Sequence, residues 1–529
     1  MERKPSGMRP IQLVWFKRDL RVRDHRPLQE AARRGKLVGL YVFEPEVLHS
    51  AEFDPQHLAW IQEALLDLQA QLRVHGVPLL IRAGSMPAVL GELRRELRFE
   101  ELWSHEETGL LATYERDLRV ARWARENAVR WTEIPQTGVV RRLKSRDGWS
   151  RRWLERMSAE EAQLVGGELG PRGVRSDSVP RGAVLGIEPR KRWMQGRGGE
   201  REAWQVLDSF LRDRSERYLA SMSAPGPGWS GCSRISEHLA FGTISMRCVH
   251  QATDAHLRGL REERKRTQDR VFGSWARSLA AFAQRLRWHC HFMQKLEDQP
   301  DLEIFNLHRG YDGLREAEFR QDRFEAWKAG RTGYPMVDAC VRSLVATGWL
   351  NFRMRAMLTS FNSYHLWLHW REPAQWMGRQ FLDFEPGIHY SQFQMQSGVT
   401  GINTLRMYSP AKQATDHDPK GEFIRRWVPE LARVPLEYLA EPHKMPPLTQ
   451  REVGCVIGEH YPAPIVEHAE ALVHARSRFS ALRRTEGVRT EAQRIVTKHG
   501  SRRKPPPRRR KKQAPPREQQ GLFEEQSTD

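Results

Sequence analysis

The sequence contains no run of about 18 apolar residues, so no transmembrane helix is expected. Its first residues, MERKPSGMRP, lead into the strand-like IQLVWF without an apolar leader, which predicts a cytoplasmic protein. Only five cysteines occur, and none forms a CxxC pair. This scarcity argues against a disulfide framework, a zinc ribbon and a four-cysteine iron–sulfur cluster. A GxGxxG dinucleotide fingerprint is also missing from the first strand–helix turn.

Basic residues outnumber acidic ones, and the net charge is +20. Residues 501–517 carry nine Lys or Arg and no acid, while residues 518–529 carry four acids, which leaves +15 on residues 1–500. A body this basic favours a polyanionic partner, nucleic acid first; the alternative is a charge that only keeps the protein soluble. Tryptophan is abundant, with 18 residues that can pack, stack on bases or carry electrons.

The hydrophobic pattern changes along the chain. Over residues 10–140, strand-like runs such as IQLVWF, LVGLYVF and VPLLIRAG alternate with helical stretches, which predicts an α/β domain with a parallel sheet. Residues 141–200, which become rich in Gly, Pro and Arg, are interpreted as a surface linker between domains. Helical spacing over 201–482 predicts an all-α domain. Proline and charge predict a disordered basic tail over 483–529.

Two arginines, Arg353 and Arg355, stand among apolar residues in GWLNFRMRAM. Arginine is rarely buried without a partner, so at least one needs a carboxylate unless both reach water. Asp383 and Glu385, in the loop FLDFEPGIHYSQFQMQSG, are the candidate partners, because a bidentate arginine–carboxylate pair satisfies both groups. A salt bridge with a purely structural role is the alternative.

The segment GCSRIS at residues 231–236 is small, rich in hydroxyl groups and opens an apparent helix. Ser233, Ser236, Arg234 and free backbone N–H groups would form a phosphate cradle there. An ordinary helix cap is the alternative, since serine is common at helix starts.

Further motifs follow in order along the chain: LVWFKRDLRVRDHRPL, TGYPMVDACVRSL, GWLNFRMR, HWRE and GEFIRRWVPEL. Over residues 11–475 the chain resembles the photolyase/cryptochrome flavoproteins. The resemblance implies an α/β domain joined by a long linker to an all-helical domain that holds FAD. It also implies a photolyase, in which excited reduced flavin donates an electron to a pyrimidine dimer flipped out of UV-damaged DNA. A blue-light receptor and a light-independent nucleic-acid-binding protein are the alternatives.

The resemblance also implies which residues contact the flavin. Arg355 matches the arginine that pairs with the first loop carboxylate, Asp383, and steadies negative charge beside the flavin. Cys232 stands where threonine is usual, and Glu385 where aspartate is preferred. The implied cofactor-binding residues are Tyr218, Cys232, Ser233, Arg234, Ile235, Ser236, Arg355, Asp383, Phe384, Glu385 and His389.

The positions that face the substrate depart from the family pattern. The cavity helix has Trp288-His289-Cys290 where Trp-Arg-Glu is usual, so an acid that binds the dimer is absent, although Trp288 can still stack. Phe352 replaces the usual asparagine beside Arg353, which matches a residue facing the substrate cavity. No metal is predicted, because neighbouring residues of the His-Cys-His run that begins at His289 point about 100° apart.

The electron supply departs from the family as well, since the family often uses three tryptophans between flavin and surface. Trp370 matches the middle one, whereas Phe393 takes the flavin-proximal position and no tryptophan lies near the outer position around Ala317. Four aromatic residues offer another route: Trp349, Trp367, Trp376 and Tyr390.

His389 takes the position of an asparagine that faces the reactive nitrogen of the flavin. One interpretation is a proton donor that titrates near neutrality and makes the redox state pH-sensitive. The other is a histidine that only packs or binds backbone. The residues expected to take part in catalysis are Trp370, Trp288, His389 and Arg355.

Two features lie away from this site. Glu106 and Glu107 in SHEETG lie near where some family members hold a folate. One interpretation is that they bind a second, antenna chromophore of folate or deazaflavin type. The alternative is that they belong to an ordinary solvated loop. In the tail, Gln519, Leu522 and Phe523 of QQGLFEE resemble the short peptide by which bacterial proteins dock on the replication sliding clamp.

Overall fold

The computed structural model describes residues 9–190, 192 and 196–500. Five strands near the N-terminus form one parallel sheet in the order β3-β2-β1-β4-β5. The strands are β1 (Ile11–Phe16), β2 (Lys36–Phe43), β3 (Leu79–Ala83), β4 (Glu101–His105) and β5 (Arg130–Ile134). The predicted parallel sheet is confirmed. The chain leaves β1 toward β2 on one side and later returns to β4 on the other, and ligands commonly bind at the carboxyl ends of strands at such a reversal.

Helices cover both faces of the sheet, which explains why its strands are apolar on both sides. These helices are α1 (Arg26–Arg34), α2 (Pro45–Leu48), α3 (Pro55–Val74), α4 (Met86–Leu97) and α5 (Leu111–Glu126). On one face, Leu13 of β1 lies in a core with Leu90 and Val120. On the other face, Val14 lies in a core with Leu65.

The segment predicted as a linker contains a helix that its composition did not reveal. Helix α6 (Trp149–Ser158) buries Trp149, Trp153 and Met157 in a core shared with the helical region that follows. The Gly- and Pro-rich stretch after residue 158 dominates the composition of this segment and obscures the apolar spacing of WSRRWLERM.

From Glu200 onward the named elements are all helical, and the predicted all-α architecture is confirmed. Among the described residues, no helix combines the length and apolarity needed to span a bilayer. The helices are α7 (Glu200–Arg212), α8 (Tyr218–Ser221), α9 (Pro225–Gly231), α10 (Ser236–Ala240), α11 (Met246–Thr267), α12 (Arg270–Asp298), α13 (Gln321–Lys328), α14 (Pro335–Thr347), α15 (Phe352–Ser360), α16 (Arg371–Gln380), α17 (Pro386–Ser397), α18 (Pro410–His417), α19 (Glu422–Trp427), α20 (Pro447–Glu452), α21 (His468–Arg483) and α22 (Glu486–His499).

The prediction of disorder from residue 483 was wrong for its first part, which forms α22. Val488 and Ile495, two helical turns apart, pack into the largest hydrophobic core of the protein. His308 Nε2 also donates to the Val488 carbonyl at 2.8 Å, which fixes the start of this helix. The clamp-like peptide at residues 519–523 lies outside the described residues, so that hypothesis stays a prediction.

Candidate functional site

A bidentate ion pair ties α15 to the loop before α17. Arg355 Nη1 and Nη2 donate to Asp383 Oδ1 and Oδ2 at 3.0 and 2.8 Å. Arg355 Nε donates to the Leu350 carbonyl at 2.6 Å, and the guanidinium lies 3.9 Å from the centroid of the Phe381 ring. The Asp383 side chain is 4 % exposed and that of Arg355 is 25 % exposed. The pairing predicted for these two residues is confirmed, and the charge of Asp383 is matched where it is buried.

Residues 232–235 connect α9 to α10, and Cys232 lies close enough to Arg355 to feel its charge. Arg234 adopts a left-handed backbone with φ 57°, and its guanidinium lies 4.1 and 4.4 Å from the ring centroids of Trp229 and Trp349. The backbone N–H groups of Ser233 and Arg234 find no acceptor within the part of the chain that the structure describes. Ile235 is buried in the core and anchors the segment. Unsatisfied backbone donors beside an arginine are suited to bind phosphate.

Charged neighbours complete this segment. Arg214 donates to the carbonyls of Cys232 and Ser233, the latter at 3.2 Å. Arg234 Nη2 donates to Glu237 Oε1 at 2.8 Å. Burial raises the pKa of the Cys232 thiol to about 11, although Arg234 and Arg214 act in the opposite direction. Cys232 is therefore a neutral thiol near pH 7.

The helix expected to open at Ser236 is interrupted after one turn. Helix α10 ends at Ala240, and Gly242 follows with φ 66°. A Cβ atom on Gly242 would lie 2.1 Å from the Arg18 carbonyl oxygen, so only glycine fits this contact with the α/β domain. Ser236 Oγ donates to the neighbouring Glu237 Oε2 at 3.3 Å, and Ser236 does not act as a helix N-cap.

Tyr218 is near enough to Cys232 to interact with it electrostatically. Its ring packs against Phe210 and Phe282 with centroid distances of 5.8 and 5.7 Å. Burial raises the pKa of Tyr218 to about 12, while its hydrogen bond with Arg285 acts against that rise. Arg285 of α12 was not anticipated as a site residue, because an arginine on a basic helix carries no distinctive spacing.

A second ion pair joins α12 to the loop before α17. His289 Nε2 donates to Glu385 Oε2 at 2.6 Å. Burial lowers the pKa of His289, but the charge of Glu385 and hydrogen bonding outweigh it and raise the pKa to about 10. His289 was expected to face substrate; instead its imidazolium is paired with Glu385, a residue of the loop that was predicted to contact flavin.

Cys290 also departs from its predicted place. Its side chain is fully buried in the core that includes Leu286 and Val249, so a contact with substrate is not available to it. The prediction of Cys290 as a substrate contact was wrong, because on a helix this residue points about 100° away from His289 and about 200° away from Trp288.

The proposed pH switch at His389 is not supported by its surroundings. His389 Nε2 donates to the Ala374 carbonyl at 2.8 Å, and the ring packs against Phe384 and Phe393. Burial lowers the pKa of His389 to about 4, although the bond to Ala374 raises it. The ring is therefore neutral near pH 7, as the alternative interpretation required. With Nε2 protonated, Nδ1 is an acceptor, and contact of His389 with the flavin stays a prediction.

Aromatic side chains reach solvent on the side predicted to meet substrate. Trp288 is 37 % exposed and Phe352 is 41 % exposed, which is unusual for residues of this size in a well-packed domain. Arg353 follows Phe352, and its Nε is buried without a hydrogen-bond partner. This site thus presents ring faces and an incompletely satisfied cation, the groups that bind bases and phosphates.

Trp370, the predicted middle tryptophan of the electron chain, is fully buried and donates from Nε1 to Asn306 Oδ1 at 2.6 Å. Its ring lies 6.0 Å from that of Tyr390. Phe393 packs 4.9 Å from His389, and Ala317 lies on an exposed turn at Glu316–Glu318. Among the aromatic residues named as another route for electrons, Tyr390 contacts Trp370 directly.

A separate cavity of about 120 Å³ lies at the carboxyl ends of β1 and β2. Arg116 closes it with ion pairs to Glu44 at 2.7 Å and Glu107 at 2.5 Å. Burial raises the pKa of Glu44 to about 7, against the opposing charge of Arg116, and Glu44 Oε2 has no hydrogen-bond partner. Glu106 instead lines a cavity of about 60 Å³ together with His289 and Glu385.

Asp19, His25 and His105 form a buried cluster in the α/β domain that spacing in the sequence did not indicate. Asp19 Oδ2 accepts from His25 Nε2 at 2.8 Å and from His105 Nδ1 at 2.7 Å. His25 Nδ1 accepts the Leu28 N–H and so caps α1, which leaves the proton on Nε2. We interpret the cluster as a hydrogen-bond network that fixes the turn after β1.

Comparison with known proteins agrees with this architecture. Residues 12–146 match the family described as DNA photolyase, and residues 282–481 match the FAD binding domain of DNA photolyase. A cryptochrome DASH of Gloeobacter violaceus is 29% identical over 86% of this chain and 93% of its own length. A deoxyribodipyrimidine photo-lyase of Streptomyces griseus is 30% identical over 89% of this chain and 99% of its own length.

Solved structures share the fold. A bacterial class III photolyase from Agrobacterium tumefaciens superposes with a TM-score of 0.75 at 24% identity and covers 91% of this chain and 99% of its own. An archaeal photolyase from Sulfolobus tokodaii, solved with two FAD molecules, has a TM-score of 0.70 at 23% identity and covers 89% of this chain and 100% of its own. The fold and site define a FAD-binding flavoprotein. The chain belongs to the DNA photolyase/cryptochrome family, whose named relatives include both photolyases and cryptochromes.

The residues present fit that cofactor. Several buried polar atoms of the site have no hydrogen-bond partner, namely Arg234 Nε, His289 Nδ1 and Asn351 Oδ1. Together with the free N–H groups of Ser233 and Arg234, they provide the donors and acceptors that a dinucleotide requires.

Proposed function

We propose that the protein is a light-driven DNA repair enzyme that uses reduced FAD to split UV-induced pyrimidine dimers. One observation carries the proposal: a single turn of α15 presents exposed Phe352 at its start and pairs Arg355, three residues later, with the buried Asp383. Residues three apart lie on neighbouring parts of a helix surface, so this turn borders both a cofactor side and a substrate side.

When bound, FAD would supply the absorption of blue light and the electron that reaches the dimer. The residues of this chain would bind the cofactor and orient it. Arg234 and the free N–H groups of Ser233 and Arg234 are suited to hold the phosphates. Arg355, fixed by Asp383, places a positive charge where the flavin gains negative charge.

The substrate side would recognise a flipped pyrimidine dimer by stacking and charge. Trp288 and Phe352 offer exposed rings, and Arg353 offers a cation for a phosphate. The body charge of +15, before the basic tail is counted, favours the approach of duplex DNA. We expect UV-damaged DNA to be the partner.

A cryptochrome-like receptor without repair activity is the second candidate. It is favoured by the substrate side itself, where Phe352 replaces the usual asparagine and Cys290 is buried in the core. Stacking by Trp288 would then have no acid to assist it in holding a dimer.

The deciding experiment uses an oligonucleotide with one cis-syn thymine dimer, incubated with chemically reduced, FAD-loaded protein in the dark and under blue light. We expect light-dependent restoration of the two thymines. Trp288→Ala should lose most of it, whereas Phe305→Ala, which removes another exposed aromatic ring, should not. Absence of restoration by protein with bound, reduced flavin would favour the receptor.

The cavity at the carboxyl ends of β1 and β2 is the proposed antenna site. Its aromatic and charged lining suits a planar chromophore such as a deazaflavin, a folate or a second flavin. Glu44, half-protonated near pH 7 by its raised pKa of about 7, can donate to or accept from such a ring. Absorption spectra of pigments released from purified protein would test this, with Arg116→Met expected to lose the second pigment and keep FAD.

A further inference from the structure

Tyr390 of α17 is 1 % exposed, and its hydroxyl donates to Glu52 Oε1 of the α/β domain. Glu52 is itself 6 % exposed and lies in the turn between α2 and α3. A phenol bonded to a buried carboxylate is a donor with its proton acceptor already in place.

The ring of Tyr390 stands between two parts of the flavoprotein machinery. On one side it lies 6.0 Å from Trp370. On the other side it lies 6.3 Å from Phe384 and 5.5 Å from His389, both in the segment predicted to contact flavin. Phe393, at the position where a tryptophan is usual, has a ring that is much harder to oxidise than phenol or indole.

A purely structural hydrogen bond across the two domains is the other interpretation of this contact. Oxidising a phenol makes it strongly acidic, so electron loss from a buried tyrosine is strongly disfavoured unless a base takes the proton. Burial, together with the charge of Glu52, raises the pKa of Tyr390 well above its usual value, so the ground-state phenol stays protonated. The other charged groups near it are Glu303 and Arg371.

We propose that Tyr390 and Glu52 form a proton-coupled electron relay that reduces the bound flavin in light, which rests on the flavin site proposed above. The oxidant is photoexcited oxidised flavin, which takes one electron from the Tyr390 ring. The O–H bond breaks, and its proton passes to the Glu52 carboxylate, leaving a neutral tyrosyl radical and a carboxylic acid. Trp370 then returns one electron to the radical as Glu52 returns the proton. An external thiol reduces the oxidised tryptophan.

The test follows radicals and flavin reduction after a light flash in FAD-loaded protein with thiol present. We expect a neutral tyrosyl signal in electron paramagnetic resonance that narrows when the tyrosine rings are deuterated. Tyr390→Phe should abolish it and slow flavin photoreduction, while Tyr364→Phe, which alters another tyrosine that is 1 % exposed, should leave both unchanged.

Glu52→Gln keeps a hydrogen-bond partner but removes the base. We expect it to slow photoreduction by about tenfold or more and to change the ratio of rates in H₂O and D₂O. Glu303→Gln, which alters a neighbouring carboxylate bonded to the Leu111 N–H, should behave as wild type. If Tyr390→Phe fails to retain flavin, the comparison of Glu52→Gln with Glu303→Gln tests the relay in its place.

Wild-type photoreduction and radical signals in both Tyr390→Phe and Glu52→Gln would overturn the relay. Dimer repair by chemically reduced protein bypasses photoreduction, so Tyr390→Phe should repair as well as wild type in that assay. Loss of repair in wild type itself would reject the proposed function and leave the radical measurement interpretable.

Discussion

The proposed cofactor side and the proposed substrate side of the site differ in how their charged and aromatic groups are arranged. On the cofactor side, two carboxylates of one loop are each matched by a cation, Asp383 by Arg355 and Glu385 by His289. On the substrate side, the large rings of Trp288 and Phe352 stay exposed. Matched charges rigidify a site for one ligand, whereas exposed rings and cations tolerate changes of ligand. The proposed cofactor contacts are thus charge-matched, whereas the proposed substrate contacts are left open to solvent.

The largest effect on stability and flavin binding is expected from removing the Arg355–Asp383 ion pair. Arg355→Met strands the Asp383 carboxylate, which is 4 % exposed, without its partner. We expect a loss of about 2–4 kcal/mol in the free energy of unfolding, since orphaning a buried charge is costly. The variant should also purify with little flavin, as measured by absorption.

Arg342→Met is the matched control for that experiment. Arg342 Nη1 donates to both carboxylate oxygens of Glu430, and the Glu430 side chain is 32 % exposed, far more than that of Asp383. Its removal should cost about 0–1 kcal/mol and leave flavin bound. Equal losses in the two variants would mean that Arg355 has no special role at the site.

The His289–Glu385 pair predicts that the free energy of unfolding depends on pH. The pKa of His289 is raised from 6.5 to about 10 in the folded protein, so folding binds a proton there between these values. The stabilisation is complete below pH 6.5 and is lost as pH rises toward 10. We expect wild type to lose about 2 kcal/mol over this window relative to His289→Gln, measured by urea unfolding at several pH values. Parallel curves for the two proteins would contradict the pairing.

The substrate side should respond in binding rather than in stability. Trp288→Ala or Phe352→Ala should weaken binding of dimer-containing DNA by about 1–2 kcal/mol, or about tenfold, because each ring can stack on a base. Unfolding free energy should change by less than about 0.5 kcal/mol, since exposed side chains contribute little. Binding is measured at one fixed salt concentration on damaged and undamaged duplexes. A loss that is equal on both duplexes would rule out a role in dimer recognition.

The comparison also shows what could be predicted from the sequence. The need for an arginine–carboxylate pair was predictable from the residues, because a buried arginine demands a carboxylate and the loop supplies two. That Arg355 pairs with Asp383 was implied by the family resemblance. His289–Glu385 and Tyr390–Glu52 were not, because the partners come from elements 96 and 338 residues apart, and no local pattern specifies which of many acids meets them. The parallel sheet followed from alternating strand and helix periods. Helix α22 was missed because its two apolar anchors are diluted by charge.

The smallest effect on stability is expected at Cys290, which tests whether this residue belongs to the core or to the substrate side. Cys290→Ala removes a sulfur atom from a fully buried position and should cost about 1 kcal/mol in the free energy of unfolding, through lost packing. Cys340→Ala, at another fully buried cysteine that packs on Met336, should cost a similar amount. Neither change should alter the affinity for dimer-containing DNA. A selective loss of affinity in Cys290→Ala would show that α12 turns this residue toward the substrate when DNA binds, and the division between the two sides would have to be redrawn along that helix.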